Sequence, residues 1–267
     1  MIRKPAVANQ FYDGDPLRLH HEVGRLIRRI TGPRPALMVV SPHAGYMYSG
    51  HVAGAVFRMI DVPETCVILG PNHTGLGEPA AVMTSGSWAM PMGTIPIEES
   101  LAAELIKESG YLADDANAHV YEHSIEVQLP FLQYRQPDLK IVPICLSVLS
   151  YQICKEIGLA IARAIVRFSK PVLLVASTDM SHYEPRDSAE SKDKEALKYI
   201  LNLDPEGLYN TVRARGISMC GVIPTAAALT AAISLGASKA SLVKYTTSGD
   251  ITGDYRNVVG YAGCVIE

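Results

Sequence analysis

Residues 173–182 read LLVASTDMSH, an apolar run that ends in a short polar turn carrying a histidine. Two further segments have the same form: residues 37–43 read LMVVSPH, and residues 67–73 read VILGPNH. Runs rich in Val, Ile and Leu with no polar alternation are typical of strands buried on both faces of a parallel sheet. The three segments therefore predict parallel strands at the centre of an α/β fold.

The turns that follow these strands predict where a functional site lies. The carboxyl ends of parallel strands open onto one edge of the sheet, and ligands bind in the crevice at that edge. We therefore expect His43, His73 and His182 to share one region, although they are far apart in sequence. Several imidazoles with Asp179 nearby are suited to a divalent metal ion. The sequence thus predicts a metal site at this edge.

Strand and helix patterns alternate along the chain, which favours helices on both faces of the sheet. No linker, repeat or shift in composition divides the sequence, so we predict one domain spanning residues 1–267. The predicted helices cover residues 16–30, 50–60, 98–109, 124–134, 151–168, 187–200, 205–214 and 223–235. The predicted strands cover residues 37–41, 66–70, 80–84, 94–97, 140–146, 171–177, 241–247 and 257–266.

The composition excludes several classes of protein. With 48% hydrophobic and 19% charged residues, the chain is typical of a soluble globular protein. Its formal charge of −3 supplies no electrostatic reason to bind nucleic acid. No signal peptide is apparent, and the longest weakly apolar segment, residues 222–237, is broken by polar residues and is shorter than the roughly 20 residues of a spanning helix. Five cysteines without a C-x-x-C pair favour a reduced, cytoplasmic protein with no membrane partner.

Individual residues at the predicted edge suggest specific roles. A lone histidine is more often structural, but His43 and His73 stand at equivalent strand ends, which favours metal ligands. Three roles are open for Asp179: it binds the metal, it orients an imidazole that binds the metal, or it caps a turn. His182 is a candidate general acid or base.

Two further segments carry candidate residues. Cys220 precedes a predicted helix whose positive end favours a thiolate, so it is a nucleophile or soft ligand, or else a buried structural cysteine. His123 opens a helix and would point toward the strand ends, and Glu122 is a weaker candidate beside it. The remaining histidines are predicted to lie at the surface: His20, His21, His51 and His119. The G-x-S-x-G, phosphate-loop, G-x-G-x-x-G and H-E-x-x-H motifs are absent.

Six segments together resemble the Memo family, whose name stands for mediator of ErbB2-driven cell motility. They are residues 5–12 (PAVANQFY), 42–46 (PHAGY), 70–73 (GPNH), 122–126 (EHSIE), 177–182 (STDMSH) and 220–221 (CG). The family is similar in fold to the class III extradiol dioxygenases, which implies a single-domain three-layer α/β/α sandwich with a mainly parallel central sheet.

The resemblance also implies a site. It implies His43, His73 and Cys220 as metal ligands, with Asp179, His182 and His123 beside the metal as catalytic groups. In the dioxygenases two histidines and a glutamate hold non-haem iron(II), so a thiolate replaces a carboxylate here. Iron(II) is the expected metal, and the softer sulfur also suits copper or zinc.

Three functions follow from this site. The leading hypothesis is a metal-binding redox protein, a non-haem iron- or copper-dependent oxidoreductase resembling extradiol dioxygenases. The second is a non-enzymatic protein that binds a peptide or small ligand in the same cleft. The third is a zinc-dependent hydrolase, since two histidines and a cysteine leave an open position for water.

Overall fold

The computed structural model describes residues 1–28 and 32–267. The helices in this part of the chain are α1 (Pro16–Ile27), α2 (His51–Phe57), α3 (Glu99–Glu108), α4 (Leu129–Arg135), α5 (Tyr151–Phe168), α6 (Arg186–Leu201), α7 (Pro205–Ala214), α8 (Val222–Ser234) and α9 (Gly249–Thr252). A π-helical turn precedes α2 at Tyr46–Gly50, and short 3₁₀ turns lie at Asn117–His119 and Glu126–Gln128. None of these helices is long and apolar enough to cross a membrane.

The strands are β1 (Ile2–Arg3), β2 (Met38–Ser41), β3 (Thr65–Pro71), β4 (Ala80–Val82), β5 (Ser87–Met90), β6 (Gly93–Pro96), β7 (Ala113–Asp114), β8 (Lys140–Leu146), β9 (Val172–Ser177), β10 (His182–Glu184), β11 (Ala240–Thr247) and β12 (Val258–Ile266). Nine of them form one sheet in the order β10-β12-β2-β9-β3-β8-β4-β7, with β11 also pairing with β12. The other three, β1, β5 and β6, form a separate small sheet.

The middle of the large sheet is parallel, as the apolar runs predict. Strands β2, β9, β3 and β8 pair in parallel, whereas β12 and β4 join them antiparallel. All residues of β2 and β3 are buried, because helices cover both faces of the sheet. The first face carries α1, α2 and α4, and the second carries α3, α5, α7 and α8. This is the predicted three-layer α/β/α arrangement.

Helix α8 shows why the second face is so closely packed. Its residues from Ile223 to Ala232 are all buried, and most are small. Small side chains let α8 approach both α5 and the strands, and Gly158 of α5 lies so close that a Cβ there would be 2.5 Å from the Ala227 carbonyl oxygen. A helix that is apolar on every side belongs in such a buried layer.

Most predicted elements are confirmed, and several bounds coincide with the observed ones. The predicted strand 140–146 and helices 151–168 and 205–214 match β8, α5 and α7. The first helix ends at Ile27 rather than residue 30; residues 29–31 lie outside the described residues. The predicted helix 124–134 begins with a 3₁₀ turn and is α-helical only from Leu129.

Candidate metal centre

The register of the sheet brings the strand ends together. Ser41 at the end of β2 pairs with Ser177 at the end of β9, and β9 lies between β2 and β3. His43 and His73 therefore leave the sheet at the same edge, two strands apart. Sequence order alone does not show this, because β9, which lies between β2 and β3 in the sheet, comes much later in the chain than either of them.

Three imidazoles meet at this edge: His43, His73 and His123. One ring nitrogen of each lies within 4.8 Å of one ring nitrogen of the others. The ring centroids of His43 lie 5.2 Å from His73 and 5.5 Å from His123, and the latter two rings stack at 4.7 Å. His43 is 2% exposed, whereas the other two rings border solvent.

Hydrogen bonds to Ser177 determine the tautomer of His43. The Ser177 hydroxyl donates its proton to the Ser124 carbonyl oxygen at 2.6 Å and accepts a hydrogen bond from Gln128 Nε2 at 2.8 Å. It lies 2.8 Å from His43 Nδ1, and with its own proton already donated it must accept from that nitrogen. Nδ1 therefore carries the proton, and the lone pair of His43 Nε2 remains free for a metal ion.

The electrostatic environment keeps His43 neutral. Burial lowers its pKa well below the ordinary value, and the neighbouring imidazoles of His123 and His73 lower it further. Neutral imidazole is the form that binds metals. The surroundings of His43 thus favour the protonation state of a ligand.

Glu122 plays the corresponding part for His73. Its Oε1 accepts from His73 Nδ1 at 2.9 Å, and it also accepts backbone N–H bonds from His123 at 2.9 Å and Ser124 at 2.8 Å. Burial alone would raise the pKa of Glu122, but the hydrogen bond from His73 and the other donors outweigh it and lower that pKa to about 2. An ionised carboxylate can only accept, so His73 donates from Nδ1 and presents Nε2.

Cys220 joins this group through His43. Its Sγ lies 3.3 Å from His43 Nε2 and accepts a hydrogen bond from the Asp179 backbone N–H at 3.3 Å. Burial, with the nearby Asp179 charge, raises the pKa of this thiol to about 12. The thiol is therefore protonated at neutral pH, and it has two acceptors within reach, His43 Nε2 at 3.3 Å and the Asp179 carbonyl oxygen at 3.7 Å. The group whose donor atoms all lie within 4.8 Å of one another consists of His43, His73 and His123, and Cys220 does not belong to it.

A glycine makes this approach of Cys220 possible. A Cβ on Gly221 would lie 2.4 Å from Thr178 Cβ and 2.5 Å from the Ser177 carbonyl oxygen. The Gly221 N–H also donates to Thr178 Oγ1 at 2.9 Å. Only a residue without a side chain lets the turn before α8 lie against the end of β9.

Asp179 and His182 lie beside the imidazole group rather than within it. The Asp179 carboxylate accepts the His43 backbone N–H at 2.8 Å, so it holds the turn that carries His43. Burial raises the pKa of this carboxyl above its ordinary range, against the opposing effect of that hydrogen bond. His182 Nδ1 lies 2.9 Å from the Ser218 carbonyl oxygen, which can only accept, so Nε2 carries the free lone pair.

The donors present fit a transition-metal ion. Three imidazoles and one sulfur suit iron, copper or zinc far better than magnesium or calcium, which prefer oxygen ligands. His43 and His73 each have Nδ1 occupied by an acceptor, which is the usual arrangement of metal-binding histidines. The structure thus contains a group of residues able to hold a metal ion, with His43 and His73 as members.

Some residues that shape the site were not predicted from the sequence. Glu122 was a weak candidate, yet it contacts both His73 and His123; its position directly before His123 was the available signal. Ser177 and Gln128 carried no signal. The predicted surface position of His119 is wrong. This residue is fully buried against Trp88, with 5.9 Å between the ring centroids.

The fold and the site together define an α/β sandwich protein with a candidate metal centre at the carboxyl edge of its parallel strands. A family model described as Memo-like protein matches residues 3–265, and the chain therefore belongs to the Memo-like family. The resemblance seen in the sequence motifs is confirmed.

Relatives match over the whole chain. A MEMO1 family protein from Methanopyrus kandleri is 45% identical over 281 residues, which cover 100% of this chain and 99% of that protein. One from Methanosarcina barkeri is 43% identical over 269 residues, covering 100% of both. One from Aquifex aeolicus is 40% identical over 270 residues, covering 99% and 98%.

A solved structure shares the fold. The crystal structure of an uncharacterized protein from Escherichia coli K12 aligns with a TM-score of 0.56 at 14% identity. The alignment covers 85% of this chain and 98% of that one. At this identity the likeness extends to the fold alone.

Proposed function

We propose that this protein binds a redox-active metal ion, with iron(II) as the first candidate, through His43, His73 and Cys220. The metal would act on a small molecule bound beside these residues. The observation that carries the proposal is the pairing of His43 Nε2 with Cys220 Sγ. Two ligands at about 2.1 and 2.3 Å from one ion and roughly tetrahedrally disposed are themselves about 3.6 Å apart. The 3.3 Å between these two atoms is close to that separation.

Loading the site requires a proton to leave. A ligand sulfur must be deprotonated, and the raised pKa of Cys220 means that the thiol keeps its proton until a cation replaces it. Metal affinity should therefore rise with pH, since each metal bound releases the Cys220 proton. His43 needs no such change, because burial already favours its neutral form.

When bound, iron(II) or copper supplies electron transfer and open coordination positions, which suit oxidation of a small substrate. The chain's own residues supply proton transfer. His182 Nε2 is free to take a proton, because Ser218 holds the other ring nitrogen in its protonated form. His123 stacks on His73 and offers a second imidazole within the same group.

Metal content tests the proposal. The freshly purified protein should contain close to one iron or copper per chain by elemental analysis. The double variant H43A/H73A should lose that metal while keeping its far-ultraviolet circular dichroism. The matched control removes two exposed imidazoles of α1, in H20A/H21A, and should keep the metal. Unchanged metal in H43A/H73A would overturn the proposal, and zinc as the native metal would favour the hydrolase.

A second measurement identifies the third ligand. Cobalt(II) bound by a thiolate gives sulfur-to-metal charge-transfer absorption, which imidazole ligands do not give. The band should be present in the native protein and in His123→Gln, and absent in Cys220→Ser. A band that survives in Cys220→Ser would exclude Cys220 as a ligand.

Turnover separates an enzyme from a binding protein. Catechols are supplied to the iron(II)-loaded protein without oxygen, and oxygen is then admitted. Oxygen consumption that falls in His182→Gln but not in His20→Gln would support the redox role. Ligand binding without oxygen consumption would favour the non-enzymatic hypothesis.

A further inference from the structure

A cavity of about 430 Å³ lies directly beside the proposed metal centre. His73 and Cys220 form part of its wall, so a molecule in this cavity would contact the two residues proposed as ligands. Cavities of this size hold small organic molecules rather than folded partners.

Most of the wall is apolar. The side chains that provide the apolar surface are Leu146, Val148, Val212, Ile217, Met219 and Ile223. They come from the end of β8 and the loop after it, from α7, from the segment that leads into α8 and from the first turn of α8. A surface of this kind favours a compact hydrocarbon body, such as a ring or a branched chain.

One cation, the exposed Arg213, is among the residues that line the cavity. Its Nη1 donates to Tyr209 Oη at 3.1 Å, and that hydroxyl in turn donates to the Leu149 carbonyl oxygen at 3.0 Å. The guanidinium also lies 5.5 Å from the centroid of the Tyr209 ring. The phenol therefore holds Arg213 in place at the cavity.

Arg213 has no acidic partner in the described part of the chain. None of the cavity-lining residues is Asp or Glu. Two residues further on, Arg215 pairs with both oxygens of Glu195 at 3.0 Å. A guanidinium is built to bind two oxygens of one carboxylate, and that capacity of Arg213 is not used within the described residues.

We propose that the cavity binds a small apolar carboxylate, whose carboxylate pairs with Arg213 and whose body lies on the apolar wall beside His73 and Cys220. This inference rests on the proposed function only in assigning that molecule as the substrate of the metal centre. A carboxylate fits better than a phosphate ester, because the latter carries nearly two charges and only one arginine or lysine lines the cavity.

Binding of a matched pair of probes to the metal-free full-length protein tests the inference. Cyclohexanecarboxylate and cyclohexanecarboxamide share a ring and differ in charge. By isothermal titration the native protein should bind the carboxylate about tenfold more tightly than the amide, as expected for one charge-assisted contact. Arg213→Gln should abolish that preference, and Arg213→Lys should restore part of it.

The control is Arg215→Gln, which removes a neighbouring positive charge that is already paired with Glu195. It should retain the native preference. Equal binding of the two probes to the native protein, no binding of the carboxylate, or an unchanged preference in Arg213→Gln would each overturn the inference.

The same experiment separates this inference from the metal proposal. Because the probes are compared on metal-free protein, absence of metal binding would leave the Arg213 result valid. With cobalt(II) loaded, the probe protons should show paramagnetic broadening that H43A/H73A removes. Broadening with no dependence on Arg213 would support the metal centre and reject the carboxylate site.

Discussion

Arg3 connects the amino terminus to the candidate metal centre. It lies in β1, is 1% exposed, and its guanidinium pairs with the fully buried Glu126. It also donates from Nε to the His119 carbonyl oxygen at 2.9 Å and from Nη2 to that of Glu122 at 2.5 Å. The guanidinium lies 4.2 Å from the ring centroid of Trp88. Arg3 therefore holds in place the loop that contains Glu122.

We predict that Arg3→Met lowers the free energy of unfolding by about 3–5 kcal/mol, the usual cost of removing one member of a buried ion pair. The lower end applies here, because Glu126 keeps three other donors. They are the backbone N–H groups of Ala6 at 2.8 Å and Val7 at 3.1 Å and the Tyr12 hydroxyl at 2.5 Å. Methionine retains the unbranched stem and most of its packing.

Urea unfolding of four proteins measures this interaction: the native chain, Arg3→Met, Glu126→Gln and the double variant. The double variant should cost less than the sum of the single ones by at least about 1 kcal/mol, because no buried charge is then left unpaired. Lys4→Met is the control, since the exposed Lys4 lies next in sequence and forms no ion pair among the described residues. We expect it to change stability by less than about 0.5 kcal/mol.

Two results would refute this reasoning. The first is a cost of Arg3→Met below about 1 kcal/mol, which is the value of an exposed ion pair. The second is additivity of the two single variants within about 0.5 kcal/mol, the limit for independent sites. Either result would mean that Arg3 of β1 does not hold the loop that contains Glu122 in place.

Three further changes have defined outcomes. Glu122→Gln should weaken cobalt(II) binding about 10- to 100-fold, as measured by titration, because it removes the charge that holds His73 Nδ1; unchanged affinity would contradict this. Burial and the charge of Arg3 lower the pKa of His119 to about 4, whereas an unperturbed histidine titrates near 6.5. Between these two values His119 is protonated in the unfolded chain but neutral in the folded chain. Stability should thus fall by about 2 kcal/mol between roughly pH 7.5 and 5, and His119→Phe should show a loss smaller by that amount in urea unfolding. Gly221→Ala should cost about 1–3 kcal/mol by overpacking against Thr178, and a neutral effect on thermal unfolding would refute that contact.

The sequence predicts the centre of the sheet because the strands there are continuous apolar runs. The runs at residues 37–41, 66–70 and 171–177 are apolar without alternation, and they form β2, β3 and β9 in a parallel arrangement. The small sheet of β1, β5 and β6 was not predicted as a unit, since β1 has two residues and pairs with a strand more than 80 positions away. One domain over residues 1–267 stays a prediction, with the family match at residues 3–265 in keeping with it.

The candidate site was predictable to the extent that it depends on strand ends. His43 and His73 follow buried parallel strands, and the fold brings them together for that reason. His119 was wrongly predicted at the surface because a lone histidine in a polar loop gives no sign of Arg3 and Trp88, which bury it from distant parts of the chain. Its burial depends on tertiary packing, which short-range patterns do not encode.

The state of each imidazole is a further property that strand position does not determine. His43 has a free Nε2 because Ser177 passes its own proton to the Ser124 carbonyl oxygen and so must accept from Nδ1. Those partners lie 134 and 53 positions apart along the chain. Position at a strand end therefore predicts which side chains meet, whereas hydrogen bonds from neighbouring strands and loops decide which atom each one presents. The distinction matters for the proposed metal site, because a ligand imidazole must present a nitrogen with a free lone pair, and the proton on Nδ1 leaves Nε2 of His43 free.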